Sequence, residues 1–128
     1  MKKYFYFLTA ILIAASSFIS CSQAEDGKGI LVVENKAGDT EVVIKNVLAQ
    51  EKNSSGYVSV YSEKILNKDS YYISVDEGEY RIKIETEKTY TSGIKENKFY
   101  ETGYNIYKKI NSSSTAVVTF DGSGIYFQ

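Results

Sequence analysis

The sequence predicts an all-β fold, a small single-domain β-sandwich of about seven or eight strands after a cleaved N-terminal signal helix. Three observations support this prediction. Short runs rich in Val, Ile, Tyr and Thr are separated by Gly, Asn, Asp and Ser at intervals of about 8 to 12 residues. After the N-terminal segment, no stretch keeps the helical periodicity of an amphipathic helix. The chain has 128 residues, of which 43% are apolar, and this length suits one folded domain.

The first 20 residues have the pattern of a secretory signal peptide. Lys2 and Lys3 precede Tyr4 to Ile19, a run without any charged residue that becomes rich in Ala and Ser. We therefore expect residues 1–20 to be cleaved. An uncleaved N-terminal helix is the alternative. Cleavage is favoured because the uncharged run is shorter than the roughly 20 residues of a membrane-spanning helix.

A cysteine follows directly, in the order Phe18, Ile19, Ser20, Cys21, Ser22. This segment resembles the lipobox of bacterial lipoprotein precursors, in the relaxed form seen in spirochaetes. The resemblance implies that Cys21 is lipidated and that the membrane is contacted through covalent lipid, palmitate included. It also implies a place in the bacterial cell envelope, at the outer membrane or cell surface rather than the inner membrane. An ordinary free cysteine in an exported protein is the alternative.

The chain after the cysteine divides into a short spacer and a folded domain. Residues 21–28 are small, polar or acidic, and we expect them to form a lipidated, flexible spacer before a β-sandwich at residues 29–128. Eight segments carry the strand pattern: Ile30 to Glu34, Thr40 to Leu48, Tyr57 to Ser62, Tyr71 to Asp76, Glu79 to Glu87, Lys98 to Tyr107, Thr115 to Phe120 and Ile125 to Phe127.

Alternation predicts which side chains face the core, because successive residues of a strand point to opposite faces. The clearest case is Tyr80, Ile82 and Ile84, which alternate with charged residues. The same argument predicts four further inward pairs: Val58 with Val60, Ile73 with Val75, Tyr104 with Ile106, and Val118 with Phe120. Tyr71 is expected beside Ile73 and Val75. In the segment Thr40 to Leu48, the apolar residues of the two halves fall on opposite faces. They can share one inner face only if a bulge lies near Lys45 or Asn46.

Turn residues predict the connections between these strands. Gly78 follows Asp76 and Glu77, so we expect a tight hairpin in which Gly78 has a positive φ. Gly38 lies in a second predicted turn. Residues 88–97 show the weakest pattern, and we expect them to be the least regular segment.

A second resemblance appears over residues 65–84. Ile73 and Val75, followed by Gly78, Tyr80 and Ile82, resemble a hairpin of transthyretin-like and immunoglobulin-like β-sandwich modules found on bacterial surface proteins. The resemblance implies the same architecture. It says little about activity, because such sandwiches host many functions.

Composition argues against several classes of function. The chain has no histidine and one cysteine, so the usual catalytic triads and histidine-ligated zinc sites are excluded. The net charge of −1 gives no basic surface for nucleic acid. We therefore predict neither catalytic residues nor a metal site nor a cofactor, and we expect a protein that is not an enzyme.

Tyrosine is the remaining candidate for function, because a ring with a hydroxyl suits recognition at small entropic cost. Alternation places Tyr57, Tyr61, Tyr72 and Tyr107 opposite the apolar faces, and these are the predicted ligand-binding residues. Ordinary sheet surface is the alternative interpretation. The function we expect is a lipid-anchored protein whose sandwich binds or supports another envelope or extracellular macromolecule, a protein or a glycan. A structural component of an envelope assembly, or a secreted or membrane protein with an uncleaved N-terminal helix, is the alternative.

Overall fold

The structure is a computed structural model that describes residues 27–128. The predicted signal peptide, Cys21 and most of the predicted spacer lie outside the described residues.

The described chain is built from strands, as the sequence predicts. Nine strands follow one another: β1 (Lys28–Asn35), β2 (Val42–Glu51), β3 (Val58–Tyr61), β4 (Ser70–Asp76), β5 (Gly78–Thr89), β6 (Lys95–Glu101), β7 (Lys108–Ile110), β8 (Ala116–Phe120) and β9 (Ile125–Phe127). The fold class is confirmed: the protein is an all-β sandwich.

The strands form two sheets. The smaller sheet has the order β9-β8-β1-β4, with β1 parallel to β8 and the other pairs antiparallel. The larger sheet has the order β3-β2-β5-β6, all antiparallel. Strand β7 shares one side of β5 with β6, because it pairs only with the first three residues of β5.

The core lies between the two sheets and confirms most of the predicted inward residues. Tyr80, Ile82 and Ile84 of β5 are buried there. The other predicted inward residues found in the core are Ile73, Val75, Val118 and Phe120. Phe120 of the smaller sheet contacts Tyr100 of the larger one, with ring centroids 5.0 Å apart. Apolar burial between sheets is the main force that holds such a fold together.

Strand β2 contains the predicted bulge. Ile44 pairs with Thr86 and Asn46 with Glu85, so Lys45 is the extra residue. The bulge shifts the alternation by one position. Both Ile44 and Val47 therefore face the core and are fully buried.

A buried asparagine fastens the end of β1 to its surroundings. The Nδ2 group of Asn35 donates to the carbonyl oxygens of Val42, at 3.2 Å, and Ile65, at 3.0 Å. Its Oδ1 accepts from the backbone N–H of Ala37 at 3.1 Å. Because Asn35 is fully buried, these bonds replace those it would make with water.

The predicted strand Lys98 to Tyr107 is wrong in its second half. Strand β6 ends at Glu101, and Tyr104 and Ile106 are 79% and 55% exposed instead of inward. The buried Thr102 closes the strand: its N–H donates to the Ile82 carbonyl at 2.9 Å, and its hydroxyl accepts from the Ile82 N–H at 3.0 Å. A turn then follows and carries Tyr104 to the surface.

Two expectations for strands at the sheet margins are also wrong. Val58 is 66% exposed and Tyr71 is 45% exposed. Each belongs to a strand that has a neighbour on one side only, β3 or β4. The inner face of such a strand is only partly covered by the opposite sheet.

The connections differ from prediction at two places. Gly78 has no positive φ, because β4 and β5 belong to different sheets and the chain turns a corner there instead of forming a hairpin. Residues 88–97 are regular: Thr89 pairs with Lys95, and the Tyr90 N–H donates to the Ile94 carbonyl at 2.8 Å. Gly38 has a φ of 77°, as its predicted turn requires.

Candidate functional site

The outer face of the larger sheet carries a cluster of aromatic and cationic side chains, which we call the aromatic face: Tyr57, Arg81, Lys83, Phe99 and Tyr104. Alternation in β5 turns Arg81 and Lys83 away from the core, since Tyr80, Ile82 and Ile84 face it. Phe99 pairs with Glu85 of β5 and therefore shares this face. Tyr57 directly precedes β3, and Tyr104 comes from the turn after β6.

Arg81 is the centre of the aromatic face. Its guanidinium carbon lies 5.2 Å from the ring centroid of Tyr57 and 5.3 Å from that of Tyr104. Its Nε donates to Gln50 Oε1 at 2.8 Å, and its NH1 lies 3.6 Å from Glu101 Oε1. With a side chain only 13% exposed, Arg81 is held in one position by these partners.

Lys83, the next outward-facing residue of β5, also lies against two aromatic rings. Its Nζ lies 5.1 Å from the Tyr57 ring centroid and 5.0 Å from that of Phe99. The Tyr57 hydroxyl donates to Glu101 Oε1 at 3.2 Å. Burial raises the pKa of Tyr57 to about 12, and the negative charge of Glu101 adds to the rise. The hydroxyl is therefore a neutral donor at physiological pH.

The most exposed members of the aromatic face are two rings. Phe99 is 57% exposed and Tyr104 is 79% exposed. Ile106, from the same turn as Tyr104, is 55% exposed. Exposed apolar side chains of this size are common at interaction surfaces.

The four predicted tyrosines do not share one surface. Tyr57 belongs to the aromatic face, and Tyr107 lies close enough to it to contribute to the rise of the Tyr57 pKa. Tyr61 is not on the outer face that alternation predicts: a register shift in β3 pairs it with the buried Val47, and it packs against the core. It stacks on Tyr71 with ring centroids 4.2 Å apart, and burial raises its pKa to about 12. Tyr72 is 50% exposed on the outer face of the smaller sheet, where it pairs with Val32.

Sequence reasoning missed the other members of the aromatic face. Arg81 and Lys83 were predicted to point outward, but only as the polar half of a strand. Phe99 was assigned to a predicted strand but to neither its inner nor its outer face, and Tyr104 was assigned to the core. The available signal was the single arginine of the chain on the outer side of the most regular strand.

Three cavities of the described chain have volumes of about 240, 350 and 330 Å³, and none is lined by a residue of the aromatic face. The first lies beside Asp39 and Lys88, whose charged atoms are 3.2 Å apart. Residues 27–128 hold no group of three or more acidic, cysteine or histidine side chains placed to bind a metal ion. Over the same range, no helix has the length and apolar character to cross a membrane.

Comparisons of the chain with protein-family models, with curated proteins and with solved structures gave no match.

Proposed function

We propose that the protein is a lipid-anchored component of the bacterial cell envelope whose β-sandwich binds another envelope or extracellular protein through the aromatic face. The observation that carries the binding proposal is a pair of exposed rings held against fixed cations: Tyr104 lies against Arg81, and Phe99 lies against Lys83. The anchor rests on the sequence around Cys21.

Lipidation of Cys21 would fix the domain at a membrane. One acyl chain gives only marginal binding, whereas the two or three chains of a lipoprotein make attachment persistent. Only a few residues separate Cys21 from the start of β1 at Lys28, so the sandwich would lie close to the bilayer.

The geometry of the aromatic face favours a macromolecule over a small ligand. Small ligands prefer concave pockets, and none of the three cavities is lined by this face. Protein interfaces are instead enriched in aromatic residues and arginine. The contacts of Arg81 with Tyr57 and Tyr104 exist before any partner arrives, which lowers the entropy lost on binding.

A protein fits this surface better than a glycan. Sugar hydroxyls need hydrogen-bonding groups, but Arg81 and Gln50 already bond to each other and Glu101 accepts from Tyr57. The most exposed groups of the aromatic face are the rings of Phe99 and Tyr104, which apolar side chains of a partner would cover. Since the sequence has no histidine for the familiar catalytic triads, we propose binding rather than catalysis as the role of the protein.

The test is quantitative co-purification from gently solubilised membranes of the source bacterium. We expect a defined protein partner with the wild type, and a loss of at least tenfold with Tyr104→Ala or Phe99→Ala, as is typical of central interface aromatics. Tyr126→Ala is the matched control, because Tyr126 is 47% exposed on the smaller sheet. Equal recovery of the partner with Tyr104→Ala, Phe99→Ala and Tyr126→Ala would contradict binding through the aromatic face and favour a scaffolding role.

A further inference from the structure

The open side of strand β4 is a second interaction surface, independent of the aromatic face and of lipidation. We propose that β4 pairs antiparallel with β4 of a second copy of this chain, which joins two four-stranded sheets into one continuous sheet. Strand β4 ends the smaller sheet, and within residues 27–128 it pairs with β1 alone.

The backbone groups of β4 that face outward follow from its pairing with β1. The rungs at both ends involve odd-numbered residues: the Asn35 N–H donates to the Asp69 carbonyl, and the Glu77 N–H donates to the Gly27 carbonyl. The register between them has no shift. Even-numbered residues of β4 therefore point their N–H and C=O groups away from β1. Tyr72 and Ser74 offer these groups at the middle of the open side.

Strand β4 differs from the other strands that end a sheet. Proteins protect such strands from pairing by shortness, lysine, proline or a bulge. Strands β7 and β9 have three residues each, β3 has four residues and a shift in register, and β6 carries Lys95 and Lys98. Strand β4 has seven residues, Ser-Tyr-Tyr-Ile-Ser-Val-Asp, with none of these protections.

The strand is complementary to itself, which makes a second copy the occupant we infer. In an antiparallel pair centred on Ile73, Tyr72 lies opposite Ser74 of the second copy, and both point their backbone groups toward the partner strand. Asp76, the only charged residue of β4, lies opposite Ser70 of the second copy, so no like charges meet. Within each copy, β1 flanks this pair: Lys28 lies beside Asp76, and Glu34 of the second copy lies beside Ser70 of that copy.

Exposure along β4 is compatible with this pairing. Ser70, Tyr72, Ser74 and Asp76 are all exposed. Among their backbone groups, the Asp76 carbonyl already accepts from the Tyr80 hydroxyl at 2.7 Å, so the central groups of Tyr72 and Ser74 are the ones that carry the pairing. Ile73 and Val75 are buried in the core and fix the strand in place. A strand held on one side and open on the other needs little reorganisation to accept a partner.

The experiment measures mass and amide hydrogen exchange of the full chain, purified in detergent, across a wide range of concentration. We expect the protein mass to double with concentration, together with slowed exchange at the amides of Tyr72 and Ser74. Ser74→Pro removes the outward N–H without removing a bond to β1, and should weaken the dimer roughly tenfold or more. Ser74→Ala keeps the N–H and should dimerise like the wild type.

A monomer at every concentration would overturn the proposal. So would a dimer in which Tyr72 and Ser74 exchange as fast as in the monomer, because association would then use another surface. Protection of both amides in a monomer that retains a foreign peptide would also overturn it. If Ser74→Pro fails to fold, Ser74→Lys keeps the backbone donor but adds an edge lysine, and it should still shift the wild-type dimer toward monomer.

Discussion

The guanidinium of Arg81 lies 5.2 Å from the ring centroid of Tyr57, although the strand that follows Tyr57 is not a neighbour of β5. The ring therefore reaches across β2 to meet the arginine. Glu101, which contacts both side chains, completes the arrangement from β6. The outer face of the larger sheet thus has a packed layer of its own, which fixes the geometry that we propose a partner recognises.

Arg81 should stabilise the fold through this layer. We expect Arg81→Ala to lower the free energy of unfolding by about 1 to 2 kcal/mol, because it removes two cation–π contacts and the bond to Gln50. Urea denaturation followed by circular dichroism measures the change. Lys109→Ala, a cation on the exposed part of β7, should change stability by less than about 0.5 kcal/mol. Equal effects of the two substitutions would contradict a structural role for the layer.

Alkaline pH should weaken the fold through Tyr57. Its pKa is raised to about 12 in the folded protein from an ordinary value of 10.0, because it is buried and lies near Glu101. The unfolded chain thus loses its proton first, and stability falls as pH rises from 10 to 12. Stability measured across this range should fall less steeply for Tyr57→Phe than for the wild type. Absorbance of the phenolate near 295 nm should show one fewer late-titrating tyrosine in Tyr57→Phe, and an unchanged titration would contradict the assignment.

We expect the buried amide of Asn35 to contribute more to the free energy of unfolding than an exposed polar side chain does. Asn35→Ala leaves the carbonyls of Val42 and Ile65 and the N–H of Ala37 without this partner, at a cost of about 2 to 4 kcal/mol. Asn35→Asp should cost at least as much, because it buries a charge and removes both donors. Thermal and urea unfolding measure these differences against Asn97→Ala, an exposed control. A cost for Asn35→Ala no larger than that of the control would be inconsistent with the hydrogen bonds described.

Two nearby glycines should respond differently to alanine. Gly122 has a φ of 99°, and a Cβ there would lie 2.9 Å from the carbonyl oxygen of Ala37. Gly124 has open space and no positive φ. Gly122→Ala should therefore destabilise by about 1 to 3 kcal/mol and Gly124→Ala by little. Equal melting temperatures of the two variants would argue against this backbone geometry.

The sequence pattern predicted the parts of the fold whose conformation burial enforces. In β5 a shift of one residue would expose Ile82 and Ile84 and bury charges, so the alternation identifies both the strand and its inner face. The bulge at Lys45 was predictable for the same reason, since only an extra residue lets Ile44 and Val47 share the core.

Position within a sheet is not encoded in local alternation, and this is where prediction failed. Val58 alternates like a core residue, yet β3 has a neighbour on one side only and Val58 remains exposed. The hairpin expected at Gly78 failed because nothing between Asp76 and Gly78 shows that the chain passes to the other sheet. Tyr104 was misplaced because the bonds that end β6 involve Thr102 and a distant backbone group at Ile82.

The candidate site was predicted only in part for the same reason. Tyr57 could be placed on an outer face by alternation. Its contacts with Arg81 and Lys83 depend on the order of the strands, which the pattern of a single strand does not reveal.

Lipid attachment of the β-sandwich to a membrane is best tested by intact mass spectrometry of the native protein extracted from its bacterial membranes. We expect a chain that begins at Cys21 and carries acyl groups on that residue. A product that begins elsewhere, keeps residues 1–20, or bears an unmodified Cys21 would contradict it.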